Sequence, residues 1–169
     1  MRGAAALDVA TYEEVENDLT ATGQAATVVA IGAVAAAIGA SGHGTGSVIA
    51  ALVASLLGWA MWAAVTFWVG TKLMEGTATW GELLRTLGFA QAPRVLLFLG
   101  IIPVLGRLVI FVVGIWTLVT GVVAIRQALD ITTGKAIVTA VVSLIAIIIV
   151  TAIVGTVLGV GAALTMRGA

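Results

Sequence analysis

Long apolar runs, separated by short polar or glycine-rich breaks, dominate the hydrophobic pattern of this chain. Each run approaches or exceeds the roughly 20 residues that an α-helix needs to cross a bilayer. Apolar and polar residues do not alternate along the runs, as they would in the strands of a membrane barrel. The pattern therefore predicts an all-α, polytopic transmembrane helical bundle with five spans. These spans cover about residues 22–40, 48–69, 83–102, 107–126 and 136–164.

The third run is the least regular of the five. It contains Arg85, Gln91, Pro93 and Arg94, and only its last part, from residue 95 to 102, is wholly apolar. A kinked span fits this pattern, and a re-entrant half-span is the alternative. The break between spans one and two, residues 42–47, is rich in glycine and contains His43. We expect a tight turn there.

An acidic segment precedes the first span. Residues 1–18 contain one basic and five acidic residues, a net charge of −4, and the rest of the chain carries +4. Val9, Tyr12, Val15 and Leu19 recur at spacings of three and four residues. This spacing predicts a short amphipathic helix, for which Asp8 is a suitable N-cap. The chain is accordingly divided into an acidic cytoplasmic arm, residues 1–20, and a five-span membrane domain, residues 21–169.

The distribution of basic residues predicts the orientation of these spans. With five crossings, the N-terminal side holds six basic residues: Arg2, Lys72, Arg85, Arg94, Arg126 and Lys135. The opposite side holds Arg107 and Arg167. Because basic residues favour the cytoplasmic side, we expect a multi-pass protein of the cytoplasmic (inner) membrane, with its N-terminus in the cytoplasm and its C-terminus outside. A re-entrant third segment would weaken this bias.

Composition excludes several classes of protein. The chain is 61% hydrophobic and only 9% charged, and it has no cysteine. A soluble domain of this size could not cover its surface with so few polar side chains. The basic residues form no cluster, so nucleic acid is not an expected partner. The lipid bilayer is the first expected partner.

Polar residues near the third run are the candidate site. An arginine near the bilayer centre must pair, snorkel or line a wet cavity, and Gln91 lies one helical turn before Arg94. The candidate polar or lipid-contact site is therefore Arg94, Gln91, Glu82 and Arg85. Glu82 and Arg85 are also expected to form an ordinary pair along one helix face.

Catalysis has no support in the sequence. No convergent acid–base pair, metal motif or nucleophile with a base is visible, so we predict a protein that is not an enzyme and has no cofactor. Small residues on the fifth span, Gly155, Gly159 and Ala163, form a ridge that suits close helix packing within the bundle or against another subunit.

Several motifs resemble those of the Yip family. They are the arm segment Thr11–Glu16, the segment Ala21–Ala25, the stretch Trp80–Pro93 and the compact loop Ala128–Lys135. The chain is similar to bacterial members of this family, whose eukaryotic relatives are the Ypt/Rab-interacting proteins. The resemblance implies a five-helix membrane domain with a cytoplasmic N-terminus. In eukaryotic relatives it also implies non-enzymatic roles in membrane traffic, through small GTPases and assembly with other Yip proteins.

The functional hypothesis is a non-catalytic membrane protein that acts as a scaffold or accessory subunit. Its partners would be other membrane protein subunits or further copies of itself. The alternative is a small oligomeric transporter or channel, with a polar site near Arg94.

Overall fold

The apolar runs fold into α-helices in a computed structural model that describes residues 1–40 and 48–167. Side chains are described for residues 1–40, 48–153 and 156. The expected turn at residues 42–47 lies outside the described part. The helices are α1 (Arg2–Ala5), α2 (Val9–Asn17), α3 (Ala21–Ala40), α4 (Val48–Leu73), α5 (Trp80–Ala90), a 3₁₀ helix (Ala92–Ile101), α6 (Leu105–Ala128) and α7 (Thr133–Arg167).

In the described residues, four helical stretches are long and apolar enough to cross a membrane. They are Ala21–Ala40, Val48–Leu73, Leu105–Ala128 and Thr133–Ile153, the last of which lies within α7. These stretches coincide with the predicted first, second, fourth and fifth spans. Large apolar side chains on their outer faces, such as Leu57 and Phe111, are more than 60% exposed. Such faces suit contact with lipid hydrocarbon.

The predicted third span is not one continuous helix. It consists of α5, which ends at Ala90, and the 3₁₀ helix, which begins at Ala92. Pro93 has no N–H to donate and therefore interrupts the helical hydrogen-bond ladder. Arg94 N instead donates to Gln91 O at 2.9 Å, the spacing of a 3₁₀ turn. The carbonyl oxygen of Ala90 instead accepts a hydrogen bond from the Thr120 hydroxyl of α6, at 2.7 Å.

This broken segment lies alongside α3 over most of the length of that helix. Ala25 and Gly88 are in close contact, Gly32 faces Arg94, and Gly39 faces Leu97 and Gly100. Residue numbers rise in the same direction on both partners, so the two segments run parallel. The glycines permit this approach, since a side chain at Gly39 would overlap the Leu97 carbonyl oxygen.

A tight turn at residues 102–105 reverses the chain into α6. Val104 adopts a left-handed backbone conformation, with φ of 67°, which is uncommon for a β-branched residue. Gly106 N donates to Ile102 O at 2.8 Å. A side chain at Gly106 would overlap the carbonyl of Gly100. The turn therefore holds α6 directly against the end of the 3₁₀ helix.

We expect Gly39→Ala to destabilise the bundle, because the added methyl group meets backbone that cannot move without shifting the 3₁₀ helix. Overpacking of this kind costs about 1–3 kcal/mol. Gly23→Ala is the matched control on the same helix, since nothing lies within 4 Å of the added atom. It should stabilise α3 by about 0.5–1 kcal/mol. Thermal unfolding in detergent measures both, and equal midpoints for the two variants would contradict the close packing of α3.

Candidate functional site

Arg94 and Gln91 lie together at the start of the 3₁₀ helix. Arg94 Nη1 donates to Gln91 Oε1 at 2.6 Å. The two residues are three apart, and side chains at this spacing stand above one another in a 3₁₀ turn. Gln91 is buried and Arg94 is partly buried. The contact between these two polar side chains is thus local to the first turn after the break at Pro93.

Both side chains line a cavity between four helices. Its volume is about 610 Å³, within the range of about 300–1,000 Å³ that is usual for small-molecule sites. The walls come from α4, the 3₁₀ helix, α6 and α7. The lining residues are Ala54, Ser55, Gly58, Trp59, Trp62, Gln91, Arg94, Leu97, Ile110, Val113, Gly114, Thr117, Leu118, Leu144 and Ile147.

Arg94 contributes the only charged side chain among these lining residues. It lies beside Gly32, near the middle of α3, so its depth is that of the bilayer interior if α3 spans. An arginine at the centre of a membrane helix costs about 2.5–3.5 kcal/mol on insertion scales. In the described residues, no carboxylate lies within ion-pair distance of Arg94, and the one ion pair joins Lys135 and Glu75 at 3.6 Å.

Several lining residues carried no clear signal in the sequence. Trp59 and Trp62 stand three residues apart on α4 and both face the cavity, a spacing that could have marked a shared face. Trp59 Nε1 donates to Leu84 O at 3.0 Å, which fixes its ring against α5. Thr117 Oγ1 bonds within α6, to Val113 O at 2.8 Å. Their convergence depends on helix packing, which spacing along one helix does not reveal.

Arg85, a second candidate residue, is not at the cavity. It is 4% exposed and binds the end of the arm helix α2. Its Nε donates to Val15 O and Glu16 O, each at 3.1 Å, and its Nη2 also donates to Glu16 O. These carbonyls belong to the last turn of α2, which otherwise lacks partners for them. Arg85 thus caps α2 from another helix, and its positive charge complements the helix dipole.

The predicted pairing of Glu82 with Arg85 is wrong. Glu82 Oε2 instead accepts from Thr79 N at 2.7 Å, and Glu82 N donates to Thr79 Oγ1 at 3.3 Å. This reciprocal capping box begins α5. The sequence did contain its signature, a threonine followed three residues later by glutamate. Each partner of the expected pair is therefore committed elsewhere.

A helix, α2, lies within the predicted arm, and Asp8 Oδ1 caps it by accepting from Ala10 N at 3.2 Å. Its contact face is narrower than expected. Tyr12 and Val15 are buried, whereas Val9 is 39% exposed and Leu19 is 79% exposed. The chain has already turned toward α3 at Leu19, so that side chain leaves the contact.

Tyrosine and tryptophan side chains fasten the arm to the membrane body. Tyr12 is fully buried, and its hydroxyl lies 3.0 Å from Ala4 O and 3.4 Å from Thr120 O. Burial raises the pKa of Tyr12, so its phenol stays protonated and can donate. Trp116 Nε1 donates to Ala5 O at 2.8 Å. The arm is therefore bound along the flank of α6 as well as by Arg85.

Glu16 lies among other acidic groups beside this contact. Burial, and after it the negative charges of Asp130 and Glu82, raise the pKa of Glu16 to about 7. The Arg85 charge opposes the shift. Protonation of Glu16 relieves the repulsion, so arm docking is coupled to pH.

The small-residue ridge on the last helix is not tested. Gly155, Gly159 and Ala163 fall within the bounds of α7, but their surroundings lie outside the described side chains. Their packing role stays a prediction.

Comparison with known families decides the class of protein. A model of the Yip1 domain matches residues 9–155, from the first residue of α2 into α7. The chain belongs to the Yip1 family. No curated protein and no solved structure matches it. The Yip1 domain and the apolar helices together make this an integral membrane protein in contact with lipid.

In this Yip1 domain, we expect Arg85→Met to release the arm, because the last carbonyls of α2 lose their donor. Hydrogen bonds to a charged group contribute about 1.5–3 kcal/mol. Amide hydrogen exchange of residues 9–17 should accelerate accordingly. Arg126→Met is the matched control, since Arg126 is exposed on α6. Unchanged exchange in Arg85→Met would contradict the capping role.

Arm docking should also weaken as pH rises. The docked arm holds a proton on Glu16 up to pH of about 7, whereas a free glutamate releases it near its ordinary value of 4.5. The contribution of Glu16 to docking is therefore fully present below about pH 4.5 and is lost as pH rises through about 7. Hydrogen exchange of the arm, corrected for intrinsic rates, measures the trend. Glu16→Gln should flatten it, and an equally steep trend in that variant would refute the assignment to Glu16.

Proposed function

We propose that this Yip1 domain acts without catalysis, as a scaffold or accessory subunit of a larger membrane assembly. The observation that carries this proposal is the fixed attachment of the arm. Arg85 and Trp116 donate to backbone carbonyls of the arm, and the buried hydroxyl of Tyr12, on the arm itself, lies 3.4 Å from the Thr120 carbonyl oxygen of α6. Binding through backbone groups holds the helix in one orientation. A helix held in this way can present a constant surface to a partner.

The presented surface is acidic. Glu13 and Glu14 are exposed on the face of α2 opposite Tyr12 and Val15. Asp8 is exposed at the start of the same helix. Anionic lipid would repel this face, so a protein partner with basic side chains suits it better than the bilayer does.

We also propose five crossings, with the arm in the cytoplasm and the C-terminus outside, in the cytoplasmic membrane. The parallel course of residues 80–101 and α3 supports a full crossing rather than a re-entrant loop. The bias of basic residues toward the arm side supports the orientation. The division into an arm of residues 1–20 and a membrane domain of residues 21–169 is kept on the same grounds.

A second candidate function is transport by an oligomer of this chain. The cavity beside Arg94 and Gln91 favours it, because polar side chains inside a membrane body often mark a substrate path. The scaffold remains the first proposal because the arm is held to the body by side chains from two helices, Arg85 of α5 and Trp116 of α6.

Extraction into mild detergent followed by mass measurement tests the scaffold proposal. We expect a complex heavier than a single chain. Neutralising the presented face with Glu14→Gln should reduce the complex about tenfold or more at fixed protein concentration, since charged pairs contribute to specific association. Glu75→Gln is the matched control, because Glu75 is an exposed acid outside the arm.

Two results would contradict the scaffold proposal. One is a monomer without partners in native membranes and in mild detergent alike. The other is a solute flux in proteoliposomes that Arg94→Ala abolishes while the arm variant leaves it intact. That second result would establish transport.

A further inference from the structure

We propose that the cavity beside Arg94 binds a phospholipid with a net negative headgroup, whose phosphate pairs with Arg94 and whose acyl chain lies against the apolar walls. This site goes beyond the scaffold proposal. It does not require a protein partner or transport.

The positive charge of Arg94 favours binding of an anion. A guanidinium has five N–H donors, and Gln91 Oε1, at 2.6 Å, is the acceptor that the described residues provide. No described carboxylate is within ion-pair distance. A buried charge is unfavourable unless it is paired and hydrogen-bonded. A phosphate accepts two parallel N–H donors from one arginine and so suits the remaining donors.

The walls of the cavity favour an acyl chain over a free anion. Most of its lining is apolar, and Leu97, Val113 and Ile147 are typical members. Ile110, Leu118 and Leu144 line it as well and are 46–56% exposed on the outer faces of α6 and α7. The cavity therefore meets the surface that faces hydrocarbon. An amphiphile can enter laterally from the bilayer, and pairing with Arg94 compensates for drawing its phosphate below the headgroup level.

The lining also predicts selectivity between headgroups. A zwitterionic headgroup carries an ammonium group as well as its phosphate. No aspartate or glutamate is among the residues that line the cavity. The ammonium would therefore lack a counter-charge, and a headgroup with net negative charge should be preferred.

Lipid retention in nanodiscs tests the proposal. The full chain is reconstituted in equal amounts of phosphatidylglycerol and phosphatidylcholine with matched acyl chains, and retained lipid is measured by native mass spectrometry. We expect wild type to retain phosphatidylglycerol selectively. Arg94→Gln should lower retention about tenfold or more, because charge-assisted bonds to the phosphate are lost. Arg94→Lys should restore part of it, and Arg126→Gln, outside the cavity, should match wild type.

A second variant tests the space rather than the charge. Gly114 lines the cavity, and nothing lies within 4 Å of a Cβ added there. Gly114→Leu should therefore fill part of the cavity and displace the chain while Arg94 is kept. Gly134→Leu, at an open glycine outside the cavity, is the matched control. If Arg94→Gln fails to fold, the comparison of Gly114→Leu with Gly134→Leu still tests whether the cavity holds the lipid.

Four results would overturn the proposal. The first is equal retention of both lipids by wild type, and the second is unchanged retention in Arg94→Gln and Gly114→Leu. The third is a bound inorganic phosphate in place of lipid in the mass spectrum, which would indicate a site for a free anion. The fourth is a cross-link from the cavity to a second copy or to another protein, which would place a helix there instead.

Discussion

The carbonyl oxygen of Ala90 is the group on which the arrangement of the membrane body depends. Pro93 prevents α5 from continuing, and a buried carbonyl that the break exposes is unfavourable unless it finds a donor. The Thr120 hydroxyl lies 2.7 Å from this oxygen, so a broken helix can stand inside the bundle. The change to a 3₁₀ helix then turns Gln91 and Arg94 toward the space between α4, α6 and α7. Gln91 and Arg94 follow this break directly and line the cavity.

The two arginines of this segment have opposite roles because their surroundings differ. Arg85 is surrounded by carbonyl oxygens at the end of α2, where the helix dipole adds negative potential. Its donors are used, and it acts as a structural clamp for the arm. Arg94 has one amide partner and apolar neighbours, so its charge is only partly satisfied. The residue type alone does not distinguish these roles, since both residues are arginines within the same predicted span.

Parts of this structure were predictable because they depend on neighbours in sequence. The helices α3, α4, α6 and α7 follow from uncharged runs long enough to cross a bilayer. Asp8 begins α2, and Thr79 with Glu82 begins α5, through bonds to residues no more than three positions away. The expected pair of Glu82 with Arg85 was wrong for a related reason. Spacing showed that these side chains could meet, but it could not show that Arg85 had better acceptors on α2.

The sequence by itself determined that this is a membrane protein of apolar helices, that Pro93 disturbs the third apolar run, and that an acidic helix precedes the first. Each of these rests on composition, hydrophobic length or hydrogen bonds within a turn, which are local properties. Only the tertiary structure decided which donor forms a hydrogen bond with which distant carbonyl. Thr120 is 30 residues from Ala90, and Arg85 is about 70 residues from the carbonyls that it caps. Such partners are chosen by helix packing, because an unpaired polar group in hydrocarbon is costly and only packing determines which donor lies within reach.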